Sequence, residues 1–154
     1  MSSLNERAQL VYNTLKESLD ESGWSYTPND ENLFVETGAN GDYMSIPLYV
    51  IVKKNEQLVE VISQLPYVFS QDRLVEGALA ICETNEYLNY GCFEYSIFTG
   101  EIAYRVASSF FEGTITRDVI KYMIQIACYT VDEINAKLHP LATGKITLKE
   151  YVDK

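Results

Sequence analysis

NYGCFEYSIFTGEIAYRV, residues 89–106, decides how the chain is read. Thr99-Gly100 at its centre fits a two-residue hairpin turn, because glycine reaches the positive φ such turns need. With that turn Ile97 lies opposite Ile102, Tyr95 opposite Tyr104 and Phe93 opposite Val106. These pairs are all apolar and share one face. Phe98 lies opposite Glu101, Glu94 opposite Arg105 and Ser96 opposite Ala103 on the other. One register that suits both faces specifies an antiparallel hairpin. The crowding of Cys92, two carboxylates, an arginine and three tyrosines then reads as structure. Glu94 and Arg105 form a cross-strand ion pair of up to about 1 kcal/mol. Tyr95 and Tyr104 are core rings with solvated hydroxyls. Glu94 and Glu101 share a face, but a carboxylate pair alone is no glycosidase signature.

Upstream, Ser70 or Asp72 caps a helix predicted to run to about Tyr90. Leu74, Ala78, Ile81, Asn85 and Leu88 form its apolar stripe, widened by Val75, Leu79 and Cys82. Asn85 is the polar exception, and an amide bonded to backbone where helix meets hairpin accounts for it. Before this helix, YMSIPLYVIVKKNEQLVEVISQL (43–65) reads as a strand pair turning at Asn55-Glu56. That register sets Val52 against Val59 and Val50 against Val61, with Tyr43, Tyr49 and Ile51 on the other face. Pro47 belongs at an edge or bulge, since it removes a ladder donor, and Pro66 ends the pair. Leu33–Thr37 is a further short strand between a Pro28-Asn29-Asp30 turn and a loop at 38–41. The first helix spans 4–21, with Leu4, Ala8, Val11, Leu15 and Leu19 as its stripe, Ser3 as N-cap and Gly23 as terminator.

Downstream, Thr116 caps the last long helix, and Asp118 suits its positive end. Its apolar residues, from Val119 and Ile120 to Leu138, cover more than half the circumference. Such a helix is buried on two sides: by the sheet, and by the first helix or a second subunit. Pro140 stops it, and ITLKEYVDK (146–154) adds one short helical turn.

The chain has 154 residues, 22 acidic and 12 basic, for a net charge of −10. That field repels a phosphate backbone, so nucleic acid is a poor partner. Three cysteines without a Cys-x-x-Cys pair read as free thiols in a reducing cytoplasm. No signal peptide is read at the start, and no apolar run reaches membrane-spanning length. The acidic residues Asp30, Glu31 and Asp42 lack the oxygen-ligand alternation of a calcium loop. His139, the sole histidine, sits at a helix end that favours its protonated form. No catalytic residue, metal ligand or cofactor is assigned.

The expected fold is a single α+β domain over 1–154. A five-stranded antiparallel sheet carries packed helices, in the order α-β-β-β-α-β-β-α. ALAICETNEYLNYGCFEYSIFTGEIAYRV (78–106) followed by GTITRDVIKYMIQIACYTVDEINAKL (113–138) resembles the bacterial YbjN family. The carriers are Asn85 near the helix end, Gly91 before a strand, and Gly100, Ile102, Tyr104 and Arg105 in the hairpin. Asp132 follows on a Thr-capped helix. The likeness covers about residues 30–142, and that family is similar in fold to the chaperones of type III secretion. It implies a small, acidic, often dimeric, non-enzymatic protein that holds an extended partner segment on its surface.

The function expected is therefore a cytoplasmic protein-binding module, chaperone-like or regulatory. It would grip a strand or helix of another protein through apolar surface on its sheet or second helix. Tyr49, Tyr90, Phe98 and Phe110 are the candidate binding residues; completing the core or a homodimer contact is the competing use for them. The rival reading is a small-molecule binder or enzyme, with a pocket between sheet and helices lined by Tyr43, Tyr95 and Tyr104.

Overall fold

Helix ends in this chain are set by side chains that satisfy orphan backbone groups. In the computed structural model, which describes residues 3–153, α1 (Leu4–Glu21) opens on a capping box: the Ser3 hydroxyl accepts from the Glu6 amide, and the Glu6 carboxylate from the Ser3 amide. It closes on Gly23, with the Trp24 amide donating to the Leu19 carbonyl and the Gly23 amide to that of Asp20. The strands β1 (Thr27–Asn29), β2 (Phe34–Asn40), β3 (Ser45–Lys53) and β4 (Leu58–Val68) follow. Next come a 3₁₀ turn at Gln71–Arg73, α2 (Leu74–Glu86), β5 (Cys92–Tyr95) and β6 (Glu101–Ser109). The chain ends with α3 (Arg117–Ala142) and α4 (Leu148–Val152). Thr116 caps α3 by accepting from the Val119 amide.

The class is α+β as expected, with an antiparallel sheet and packed helices. The sheet has six strands rather than five, in the order β1-β2-β3-β4-β6-β5. The added strand is β1, three residues around Pro28 where the sequence pattern indicates only a turn. It pairs with β2 at the sheet edge, where a proline costs no internal ladder bond. The stretch 38–40, expected as loop, extends β2 against Ser45–Pro47. Pro66 does not end β4. It lies inside the register shift between Gln64 and Val68, a bulge that absorbs it. Pro47 lies just beyond Tyr49–Ile62, the last β3–β4 pair, so its missing N–H costs that ladder nothing.

The β3–β4 register is the expected one, Val52 against Val59 and Val50 against Val61. The β5–β6 register is offset by two residues: Phe93 faces Tyr104 and Tyr95 faces Ile102. Ser96 causes the offset. Its hydroxyl accepts from the amides of Phe98 and Thr99, while the Gly100 amide donates to the Ser96 carbonyl, so the turn is widened to four residues. Side chains alternate with period two, so a two-residue offset leaves the face of each paired residue as it was. Ile97, expected inward opposite Ile102, instead falls in the widened turn and is exposed. Gly100 keeps its positive φ of 76°, and a Cβ there would strike the Phe69 carbonyl.

Helices α1 and α3 pack on the inner sheet face and against each other. Glu17 and Glu21 of α1 pair with Arg117, and Glu21 also with Lys121, on α3. The first helix is thus what covers the second side of α3. That helix runs through Pro140 to Ala142 rather than stopping there, because a proline in the last turn forfeits only one bond. The core between sheet and helices holds Tyr12, Leu15, Val61, Ile102, Tyr104, Ile120, Val131 and Leu138. Among the described residues, no helix is long and apolar enough to cross a membrane.

Candidate functional site

The second helix is rotated relative to its sequence reading. Its buried residues are Gly77, Ala80, Ile81 and Thr84, while Val75 is 75% and Leu79 54% exposed and Cys82 also faces out. Asn85 sets the rotation. Its amide donates to the Phe93 carbonyl at 2.9 Å and accepts from the Phe93 amide at 2.8 Å, so it pairs with β5 as a strand residue would. Directly before β5, Gly91 holds a φ of 71°, and a Cβ there would meet the Tyr104 hydroxyl and the Arg105 carbonyl. The helix ends at Glu86, not near Tyr90, because the chain must turn here to reach that contact.

Beside the exposed stripe lies α4. Thr147 caps it by accepting from the Glu150 amide, and the buried Tyr151 hydroxyl meets the Thr84 hydroxyl at 2.5 Å. This anchors α4 against α2. Leu148 and Val152, one turn apart, form the second wall of a groove whose first wall is Leu79 and Cys82. Val75 and Ile146 extend it toward the start of α2. Glu83, Glu86 and Lys149 stand at its rim. Arg73 steadies the near end, paired with Glu76 at 2.7 Å and donating to the Ala142 carbonyl at 3.3 Å. The sequence pattern places Val75, Leu79 and Cys82 in the core, so it does not reveal this groove. The periodic signal for α4 is one turn long.

The outer face of the sheet is a second surface. Tyr49 projects there beside Phe34, ring centroids 6.2 Å apart. At its centre is a carboxylate that the sequence pattern does not mark. Glu60 is 1% exposed on the face turned away from the helices. Arg105 pairs with it at 3.1 Å and Lys53 at 3.2 Å, and Arg105 also reaches Glu94 at 2.6 Å. The expected Glu94–Arg105 pair is therefore present, but as the outer half of a network whose inner member is buried. The hydrogen bond to Glu60 and then the charge of Glu94 raise the Arg105 pKa further. A buried carboxylate is tolerable only with such compensation.

The candidate residues lie apart. Tyr49 is on the outer sheet face. Tyr90 lies between α2 and β5, edge-on to Tyr122 of α3 at 5.6 Å. Phe98 tips the β5–β6 turn at 79% exposure. Phe110 is not a surface residue at all: it is 1% exposed. It shares sequence parity with Ile102, Tyr104 and Val106, so the inward alternation of β6 carries through to it.

The tyrosines of the small-molecule reading do not converge either. The Tyr104 hydroxyl donates to the Tyr90 carbonyl and the Tyr95 hydroxyl to the Leu74 carbonyl, so both are bonded to backbone rather than water. Tyr43 precedes β3 rather than lying on its outer face and is turned to α3, its amide donating to Asp132 and its hydroxyl 2.8 Å from His139 Nδ1. His139 is thus held by Tyr43 and by the Tyr67 ring at 4.8 Å. Burial pushes the Tyr104 and Tyr95 hydroxyls above the usual tyrosine range.

No family model and no curated protein sequence matches the chain. Solved structures do. YbjN from E. coli, a candidate transcription regulator, superposes with a TM-score of 0.61 at 10% identity, covering 83% of this chain and 92% of that one. The HopA1–SchA chaperone–effector complex contains a chain that matches at 0.54 and 13%, covering 82% and 93%. A chain of the ExsC–ExsE complex matches at 0.54 and 11%, covering 85% and 94%. The fold is YbjN-like and type III secretion chaperone-like.

Proposed function

We propose that this protein is a non-enzymatic, cytoplasmic protein-binding module, chaperone-like or regulatory, and that it holds a segment of a partner on the groove between α2 and α4. One observation carries the reading: Val75 and Leu79 stand a turn apart on an ordered helix with most of Val75 and half of Leu79 in water. Apolar residues left contiguous on a surface and rimmed by charge are what protein interaction sites present. The helix-in-groove mode needs such a trough with anchors at helical spacing. The fold supports the reading, since one of the similar chains is a component of a chaperone–effector complex. A second copy of the chain is the other occupant with matching chemistry, since a two-fold contact would be apolar on both sides.

The test is native affinity capture with the wild-type protein and a Val75→Glu/Leu79→Glu variant, with the solution mass of each measured by light scattering. A partner held by the wild type and lost by the variant is the expected result. Equal capture by both would sink the groove. A wild-type dimer that the variant turns into a monomer would assign the groove to a second copy.

A further inference from the structure

Next to the groove is a smaller cavity of different chemistry. It lies between α2, α3 and α4 and has a volume of ≈ 220 Å³. Drug-sized ligands take roughly 300–1,000 Å³, so this one suits a single long side chain. Two tyrosines, Tyr87 and Tyr151, line it together with the aliphatic Leu88 and Ile134. Two carboxylates, Glu83 and Glu133, complete the wall, and among the described residues neither forms an ion pair. Glu83 also lines the α2–α4 groove, so the two depressions meet at that residue.

We propose that this cavity receives a lysine or arginine side chain of the partner segment, a reading that rests on the groove being the docking surface. The chemistry is specific to a cation on an apolar stem. Tyrosine faces attract cations through the ring quadrupole. Leu88 and Ile134 provide surface for the methylene stem. Glu83 and Glu133 provide the counter-charge, in a chain whose net charge of −10 already draws cations toward it. The charge of Glu83 is felt at the cavity wall: Glu83 and then Glu86 raise the pKa of the Tyr87 hydroxyl, which is also hydrogen-bonded to Glu83. The Tyr151 hydroxyl donates to that of Thr84, which donates in turn to the Ala80 carbonyl, so both are engaged within the fold. Lys137, one helical turn beyond Glu133, is the one basic residue at the cavity. It forms no ion pair among the described residues and is the internal competitor for the same carboxylates.

Titration of ¹⁵N-labelled protein with N-acetyl-lysine methylamide and N-acetyl-arginine methylamide, at physiological ionic strength, tests this. The amides of residues 83–88, 133–137 and 151 should shift and saturate, and N-acetyl-norleucine methylamide should leave them in place. Glu83→Gln and Glu133→Gln should each weaken the cation at least about fivefold, roughly 1 kcal/mol by the tenfold-per-1.4 rule. Lys137→Gln should tighten it. Thermal melts confirm that each variant is folded. Shifts spread evenly over the acidic surface, or no shifts, would overturn the proposal. n-Butylammonium, the lysine side chain without its backbone, should shift the same amides, and its failure to do so would also overturn the proposal. If these shifts fail while Val75→Glu/Leu79→Glu still abolishes capture, the cation site falls and the groove stands. If the shifts hold while capture is insensitive to that variant, the groove falls and takes the peptide source with it.

Discussion

The β5–β6 hairpin and helix α2 are neighbours in sequence and in space, are about equally apolar, and behave oppositely when read from residues alone. Every paired hairpin side chain lies on the face assigned to it, although the pairing is offset by two and Ile97, expected inward, falls in the exposed turn. The helix presents to water three of the residues assigned to its core. The difference is one of symmetry. A strand has two faces, and parity chooses between them, so an error of two in register costs nothing. A helix has a continuous circumference. When Val75, Ala78, Leu79, Ala80, Ile81 and Cys82 occupy nearly all of it, hydrophobicity alone cannot say which arc is buried. Contacts made elsewhere decide, and here they are the Asn85–Phe93 pairing and the close packing of Gly77 against Phe69 and Tyr95.

The comparison can be broken most directly at Ile81, which is 5% exposed. Ile81→Ala should cost about 3 kcal/mol by chemical denaturation, the usual penalty for emptying a buried aliphatic site. The expected stripe and the observed arc both bury Ile81, so a cost below about 1 kcal/mol would mean that α2 does not pack on this face at all. Asn85→Ala comes next, at about 2–3 kcal/mol, because it strips both hydrogen bonds from the backbone of the buried Phe93. Asn85→Asp sharpens the point, because it keeps the acceptor for the Phe93 amide and loses only the donor to its carbonyl. At neutral pH it should recover little of the loss, because a carboxylate oxygen then faces the Phe93 carbonyl where the amide nitrogen stood.

These residues also mark what is readable in advance. The β3–β4 register, the hairpin faces, the Ser3 and Thr116 caps and the Asn85 bridge all follow from local chemistry: alternation, a hydroxyl at a helix start, an amide on an apolar stripe. β1 is not readable, because three residues around Pro28 have no periodicity and become a strand only through β2. Phe110 is misplaced on the surface although its signal is present, in the parity that places Tyr104 and Val106 inside. Glu60 is not, because a carboxylate in an alternating strand normally marks the solvent side. Its burial depends on Arg105 and Lys53 from two neighbouring strands. The candidate site is legible as an idea, apolar surface on the second helix, while its walls are hidden because α4 is one turn long.

On the hairpin side, the same charge network separates two residues expected to be equivalent partners. Arg105→Ala should cost about 2 kcal/mol, because it leaves the buried Glu60 with Lys53 alone. Glu94→Ala should cost under about 1 kcal/mol, since Glu94 is half-exposed and Arg105 keeps its inner partner. Urea melts of the two variants give the ratio. Equal costs would show that Glu60 is held by something other than Arg105.

The smallest effect is expected on the outer arc of α2. Val75→Glu and Leu79→Glu replace side chains that are already largely in water, so together they should change the stability of the isolated protein by only about 0.5 kcal/mol. Glutamate is at least as good a helix former as valine. The carboxylate introduced in place of Leu79 would stand near Glu83 and Glu86, and that repulsion sets the upper end of the range. A small stability change together with lost binding separates a recognition surface from a structural one, which no single core substitution can do. A destabilisation near that of Ile81→Ala would instead mean that the stripe is covered in the free protein. The cover would then be a second copy of the chain, and the melting temperature of the wild type would rise with its concentration.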